Sequence, residues 1–147
     1  MMKEADVVIG AGYGDEGKGH AVSQLVGRDS LVVRFNGGAQ AGHTVVHGRH
    51  RHVFSHFGAG TFSGCPTHLS RFFVCHPMLF LREWQMLEAF EPVVTASPAC
   101  LVTTPYDMAI NVLAEALRGE KRHGSVGVGF GETIERTERG FPILMKD

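Results

Sequence analysis

The 147 residues suit one domain, 1–147, and can bury a real core. With 44% hydrophobic and 20% charged residues the composition is ordinary for a globular protein, and a net charge of −1 supplies no basic field for nucleic acid or an anionic membrane. No apolar run reaches the ~18 residues of a membrane span, and residues 1–6 lack the apolar stretch of a signal peptide. Cys65, Cys75 and Cys100 form no CxxC pair, and three widely spaced cysteines give no disulfide framework. They fit a reducing, cytoplasmic setting.

Val7, Val8 and Ile9 form a β-branched run that predicts a buried strand. The Gly-rich segment 10–19 follows at once. Residues 20–26 then predict the first turns of a helix, with Val22, Leu25 and Val26 on one face. Leu31, Val32 and Val33 predict a second buried strand, and residues 37–44 a loop. Residues 44–46, a turn at His47-Gly48 and residues 52–54 predict a hairpin, and 69–74 a further strand. Pro77 is placed to open a helix, in which Phe80, Trp84, Leu87 and Phe90 recur at helical spacing and Trp84 is expected in the core. Val93-Val94 and Leu101-Val102 are short strand candidates. Residues 107–118 predict a second helix, with Ile110, Leu113 and Leu117 as its core stripe and Gly119 as its stop. Strands alternating with helices predict an α/β fold with a mainly parallel sheet.

Glycine clusters at 10–19, 37–42 and 124–131, where tight turns or close backbone approach to a ligand are expected. The sharpest motif is Gly12-Tyr13-Gly14-Asp15-Glu16-Gly17-Lys18, which fits G-x-x-x-x-G-K between a predicted strand and a predicted helix. In such a loop consecutive N–H groups turn inward on an anion, the helix N-terminus adds partial positive charge, and Lys18 adds a full one. Gly19 stands where an ordinary P-loop has the Ser or Thr that ligates Mg²⁺. Asp15 and Glu16 bring carboxylates into a phosphate cradle, which is costly unless a metal or a reaction uses them. Asp15 is therefore a candidate Mg²⁺ ligand, general base, or both.

Gly14-Asp15-Glu16-Gly17-Lys18-Gly19 resembles the signature loop of the adenylosuccinate synthetase family. Gly37-Gly38-Ala39-Gln40-Ala41-Gly42-His43-Thr44 resembles that family's second signature, G-G-x-N-A-G-H-T. Gly124-Ser125-Val126-Gly127-Val128-Gly129 is similar to its Gly/Thr-rich nucleotide loop, and Pro105-Tyr106 precedes the Asp107 helix as in the family. The resemblance covers nearly the whole chain but only the front part of the family's usual length. It implies a P-loop-like three-layer fold, incomplete relative to the full family, and a GTP- and Mg²⁺-dependent ligase that joins L-aspartate to the 6-position of IMP as a homodimer. It implies Asp15 as the base for the purine N1 proton and His43 as hydrogen-bond donor to the 6-oxygen. Asp15 and the Gly42 carbonyl would hold Mg²⁺. Gly14, Asp15, Glu16, Gly17, Lys18, Gly19, His20, Gly42, His43 and Thr44 would contact GTP. The monophosphate would meet residues 15–18, Gln40, Ala41, Gly42, His43 and, through its 5′-phosphate, Ser125.

Ala39-Gln40 replaces the usual His-Asn pair. Residues 36–43 and 51–61 look closer to a related branch that joins aspartate to dGMP on the route to diaminopurine DNA. Asp15 is retained as in the IMP enzymes, which ranks IMP first. Arg136 and Arg139 are both candidates for the arginine that reaches a partner subunit, and spacing does not choose between them. A generic P-loop NTPase is disfavoured by Gly19. A non-catalytic nucleotide-binding module is favoured by the short chain but opposed by the intact Asp15, Lys18 and His43. His50 and His52 alternate on one strand face without an acid or Cys nearby in sequence, so a polar hairpin turn is expected. His56 and His76 are expected as satisfied structural histidines, and Glu115, Arg118, Glu120, Lys121 and Arg122 as a solvated helix end.

Overall fold

The longest strand, Thr67–Cys75 (β4), organises the sheet. In this computed structural model, which describes residues 4–147, β4 pairs in parallel with Val32–Gly38 (β1) along one edge. Along the other it pairs with Val94–Ala96 (β5) and then, at its C-terminal end, with Leu101–Val102 (β6). The sheet is α/β and parallel throughout. The helix Pro77–Leu87 (α2) links β4 to β5, the crossover that parallel neighbours require. A separate antiparallel hairpin, His43–His47 (β2) with His50–Phe54 (β3), turns at Gly48 with φ 60°. The helices Lys18–Leu25 (α1), Pro105–Arg118 (α3) and Phe130–Glu138 (α4) complete the fold.

The β1–β4 register slips between Arg34 and Asn36 by one extra residue in β4. The Ser70 hydroxyl donates to the Phe35 carbonyl there and satisfies the acceptor that the bulge frees. Two apolar clusters form the core. One joins Val45, Phe54, Phe57, Ala59 and Leu87; the other joins Leu69, Phe73, Cys75 and Cys100. All three cysteines are free and buried, and burial pushes the Cys75 thiol up to about 12. No helix among the described residues is long and apolar enough to cross a membrane.

Several expectations change. Residues 7–9 form no strand, and Val7 and Ile9 are 83% and 76% exposed. A β-branched run specifies a strand only where a neighbour supplies its hydrogen bonds, and here the segment pairs with no strand. Trp84 is not core: it leans on Phe57 and Phe80 but stays 37% exposed, while Glu83 and Leu87 point inward. The stripe Ile110, Leu113 and Leu117 on α3 also faces outward, because the opposite, polar face, with Asp107 and Asn111, packs on α4. Helix α4 has no apolar stripe for periodicity to find; Thr133 is its one fully buried residue. Residues 37–44, expected as a loop, end one strand and begin the next around a tight turn at Ala39-Gln40. Residues 1–3 of the N-terminal segment read for a signal peptide lie outside the described residues.

Glu83 carries the largest polar burden of the core. Its carboxylate accepts the N–H groups of Ser55 at 2.9 Å and His56 at 2.8 Å. His56 Nδ1 lies at 3.2 Å and His52 Nε2 at 3.4 Å. His56 Nε2 accepts from the His76 N–H, so the His56 proton sits on Nδ1, facing Glu83. His76 in turn caps α2 by accepting from the Leu79 N–H. Both histidines are thus satisfied structural groups, as expected. Burial alone would raise the Glu83 pKa, but His52, His56 and the two N–H groups outweigh it and hold it at about 2. The native state therefore gains stability from Glu83 above its ordinary value of 4.5 and loses it as pH falls through about 2. Glu83→Gln is expected to cost on the order of 2 kcal/mol by stranding buried donors, read as a lower urea midpoint at unchanged slope.

Candidate functional site

The first Gly-rich loop bends through two left-handed regions, Gly14-Asp15 (φ 113° and 55°) and Gly17 (φ 76°). Asp tolerates this conformation better than most L-residues. Gly17 leads into α1 without a side-chain cap, so the first N–H groups of the helix stay available. Glu16 turns back into the loop. Its Oε1 accepts from Gly12 N–H at 3.2 Å and Gly14 N–H at 3.0 Å, while Oε2 pairs with Lys18 Nζ at 2.5 Å. Hydrogen bonds from Lys18 and Gly14 hold its carboxyl at about 2. The cost of a carboxylate in this loop is thus met by the loop's own donors. Asp15, by contrast, is exposed and makes no hydrogen bond among the described residues.

The second motif comes to the first by backbone contact. A Cβ on Gly19 would lie 2.7 Å from His43 Cβ, so only glycine lets α1 seat against the start of β2. This is a physical reason for Gly in place of the Ser or Thr of an ordinary P-loop. Lys18, Gly19 and His43 line one cavity of about 180 Å³ together with Arg34 and Asn36. Gly14, Asp15, Glu16, Gly17, His20, Gln40, Gly42 and Thr44 are exposed around it in sequence, Ala41 is half-buried, and Ser125 does not line it. Gly38 is another close approach: a Cβ there would meet the Val74 carbonyl at 2.7 Å and the Phe130 ring at 2.9 Å. That contact sets the second motif beside the start of α4, directly after the third Gly-rich segment.

Arg34 is a member of the cavity that the sequence reading passed over, although a charge directly after Val32-Val33 was a visible signal. It is 8% exposed, its Nε has no partner among the described residues, and its guanidinium lies 5.3 Å from the Phe73 ring centroid. Burial lowers its pKa to about 10 against the opposing pull of Glu83. For His43, burial and the charges of Arg34 and Lys18 lower the pKa to about 4. The imidazole is therefore neutral near pH 7, with one N–H to donate.

The third segment is held by side chains to which the sequence reading gave no such role. Glu115, expected as solvated, accepts from the N–H groups of His123, Gly124 and Ser125 at 3.3, 2.9 and 3.3 Å and pairs with Arg118. The Ser125 hydroxyl donates to Asn111 Oδ1 at 3.1 Å, and Asn111 Nδ2 donates to Glu132 at 2.8 Å. Arg136 is wholly engaged within the chain: it contacts Asp107 at 2.9 Å and donates to the carbonyls of Val102 and Phe141. Arg139 is exposed and, among the described residues, its side chain pairs only with Glu135. His50 packs on Phe62 and Phe90, and no group of three or more metal-ligating side chains occurs among the described residues.

Gly19→Ala is expected to push α1 off His43 and to cost about 1–3 kcal/mol in thermal or urea unfolding, as overpacking does. In NMR titration the His43 imidazole is expected to take up its proton near pH 4. Since an unfolded histidine titrates near 6.5, the contribution of neutral His43 to stability is full above 6.5 and declines as pH falls through about 4.

A family model for adenylosuccinate synthetase matches residues 7–140. Adenylosuccinate synthetase 1 of Photorhabdus laumondii is 34% identical over 137 residues, which cover 87% of this chain and 31% of that protein. The adenylosuccinate synthetase of Herminiimonas arsenicoxydans is 36% identical over 91% of this chain and 32% of its own length. Fully ligated adenylosuccinate synthetase from Plasmodium falciparum shares the fold with a TM-score of 0.83 at 23% identity, over 93% of this chain and 33% of that one. The cyanophage S-2L succinoaminodeoxyadenylate synthetase, solved with dGMP and dATP, shares it with a TM-score of 0.70 at 20% identity, over 92% and 39%. The chain spans about a third of the length of the curated relatives it matches. Matched from residue 7 to residue 140, with both signature loops meeting at Gly19 and His43, the chain belongs to the adenylosuccinate synthetase family.

Proposed function

We propose that this chain is the nucleotide-handling front part of a purine-nucleotide ligase that joins L-aspartate to the 6-position of IMP with GTP and Mg²⁺. The observation that carries this reading is the single cavity shared by Lys18 and Gly19 of the first loop and His43 of the second. In it Lys18 would leave Glu16 for nucleotide phosphate, and the loop N–H groups would follow. Asp15, exposed and unengaged, would take the N1 proton of the purine so that the 6-oxygen attacks the terminal phosphoryl group of GTP, breaking its bond to the β-phosphate and releasing GDP. Neutral His43 would donate its N–H to that oxygen as charge develops on it. The 6-phosphoryl group then departs as phosphate when the amine of aspartate attacks C6.

Mg²⁺ suits the donor types: the Asp15 carboxylate on the first loop and the Gly42 carbonyl on the second are hard oxygens of exposed residues, and Mg²⁺ sites commonly combine one carboxylate with substrate phosphates and water. When bound, it would neutralise phosphate charge. Gln40, Ala41 and Ser125 would meet the monophosphate. In a homodimer Arg139 is the arginine available to a partner, since Arg136 is spent on Asp107.

A second reading is a dGMP–aspartate ligase. It is motivated by Gln40 in place of the usual Asn, whose side-chain oxygen reaches over Gly38, and it is compatible with the fold shared with the cyanophage enzyme.

Calorimetric titration of the chain with IMP, dGMP and GTP in the presence of Mg²⁺ tests both. IMP binding in preference to dGMP supports the first reading, the reverse supports the second, and no binding by any of the three overturns both. Asp15→Asn is expected to lower turnover at least ~100-fold, as loss of a general base does, while the circular dichroism spectrum and GTP binding stay unchanged. A fully active Asp15→Asn protein would remove Asp15 from the base role.

A further inference from the structure

Two Gly-rich loops in this chain are filled in the same way. In each, a carboxylate from the chain itself takes backbone N–H groups of the loop, and a neighbouring cation pairs with that carboxylate. At the first loop these are Glu16, Gly12, Gly14 and Lys18. At the third they are Glu115, three consecutive N–H groups at 123–125, and Arg118 Nη1 at 2.5 Å. Gly124, in the left-handed region with φ 75°, turns those N–H groups to one side, and such a concavity binds oxyanions.

Glu115 differs from the acids that only hold the fold. Glu83 and Asp107 are themselves 6% and 1% exposed, and the donors to Glu83 include the N–H of the fully buried His56. The residues that donate to Glu115, His123, Gly124 and Ser125, are exposed to solvent, so another anion can reach them from outside. The Ser125 hydroxyl is tied to Asn111 instead, a second anchor of the loop that does not involve Glu115.

We propose that Glu115 is a displaceable stand-in for phosphate, holding the 123–125 loop in its anion-binding shape until the 5′-phosphate of a purine nucleotide expels it and inherits the three N–H groups and Arg118. This rests on the nucleotide reading above and adds a gate to it: a nucleoside without phosphate cannot expel the carboxylate. The low value of about 2 at Glu115, where the hydrogen bonds from Arg118 and the loop outweigh the opposing effect of burial, agrees with a group that is charged in place.

The test follows the amide signals of Gly124 and Ser125 and the imidazole of His43 by NMR in the whole chain, wild type against Glu115→Gln and Glu115→Ala. Inorganic phosphate, inosine, IMP and dGMP are the probes. With the internal competitor removed, the phosphate concentration that half-shifts the Gly124 and Ser125 amides is expected to fall about tenfold or more, with the response to inosine unchanged. An equal or weaker phosphate response in both variants, with native spectra elsewhere, overturns the proposal and leaves Glu115 as scaffolding. If IMP or dGMP shifts His43 while Gly124 and Ser125 never respond in any variant, the stand-in falls and the ligase reading survives. If phosphate binds the loop more tightly in the variants but neither nucleotide moves His43, the stand-in holds and the ligase reading falls.

Discussion

Irregular backbone must find acceptors for its N–H groups, and this chain meets that demand with carboxylates. Glu16 serves Gly12 and Gly14, Glu83 serves Ser55 and His56, Asp107 serves Thr104, and Glu115 serves residues 123–125. Each acid also faces a cation or a histidine, so its charge is compensated on both sides. The device is the same in all four, but depth separates them. Where the carboxylate is buried, as at Glu83 and Asp107, it fixes the fold. Where the loop is exposed, as at Glu16 and Glu115, it leaves donors that an incoming anion can claim.

Close approach is the second constraint. Gly19 against His43, and Gly38 against Val74 and Phe130, are positions where one methyl group would force elements apart. Through the first, the first Gly-rich loop and the hairpin share a cavity. Through the second, that cavity's neighbour is the start of α4. His43 thereby stands among Arg34 and Lys18 in a partly dry place where its imidazole stays neutral, the state in which it can donate a hydrogen bond without carrying charge. Glu83 reaches the same region from behind: it helps keep Arg34 charged and also anchors residues 55–56. The core acid and the cavity are therefore electrostatically one system.

Signals that depend on a few adjacent residues were legible. The G-x-x-x-x-G-K loop, the His47-Gly48 hairpin turn, Pro77 at a helix start and Gly119 at a helix stop all act through local backbone chemistry. Signals that depend on what lies across the fold were not. Apolar spacing on α3 marks a stripe, but spacing does not say that this face is left open while Asp107 and Asn111 turn inward to α4. Val7, Val8 and Ile9 have the composition of a strand and lack a paired neighbour. The role of Glu115 is invisible in its own helix, because the groups that bind it lie eight to ten residues further on.

The sequence by itself determined the family, the order of the Gly-rich loops and the chemical inventory of Asp15, Lys18 and His43, since these are written in contiguous motifs. Only the tertiary structure decided that Gly19 must be glycine, that Arg136 is spent on Asp107 while Arg139 stays exposed, and that Glu16 and Glu115 accept the N–H groups of their Gly-rich loops. The reason is physical: glycine tolerance, ion pairing and hydrogen-bond satisfaction are set by distances between segments far apart in the chain, and those distances exist only after packing has fixed them.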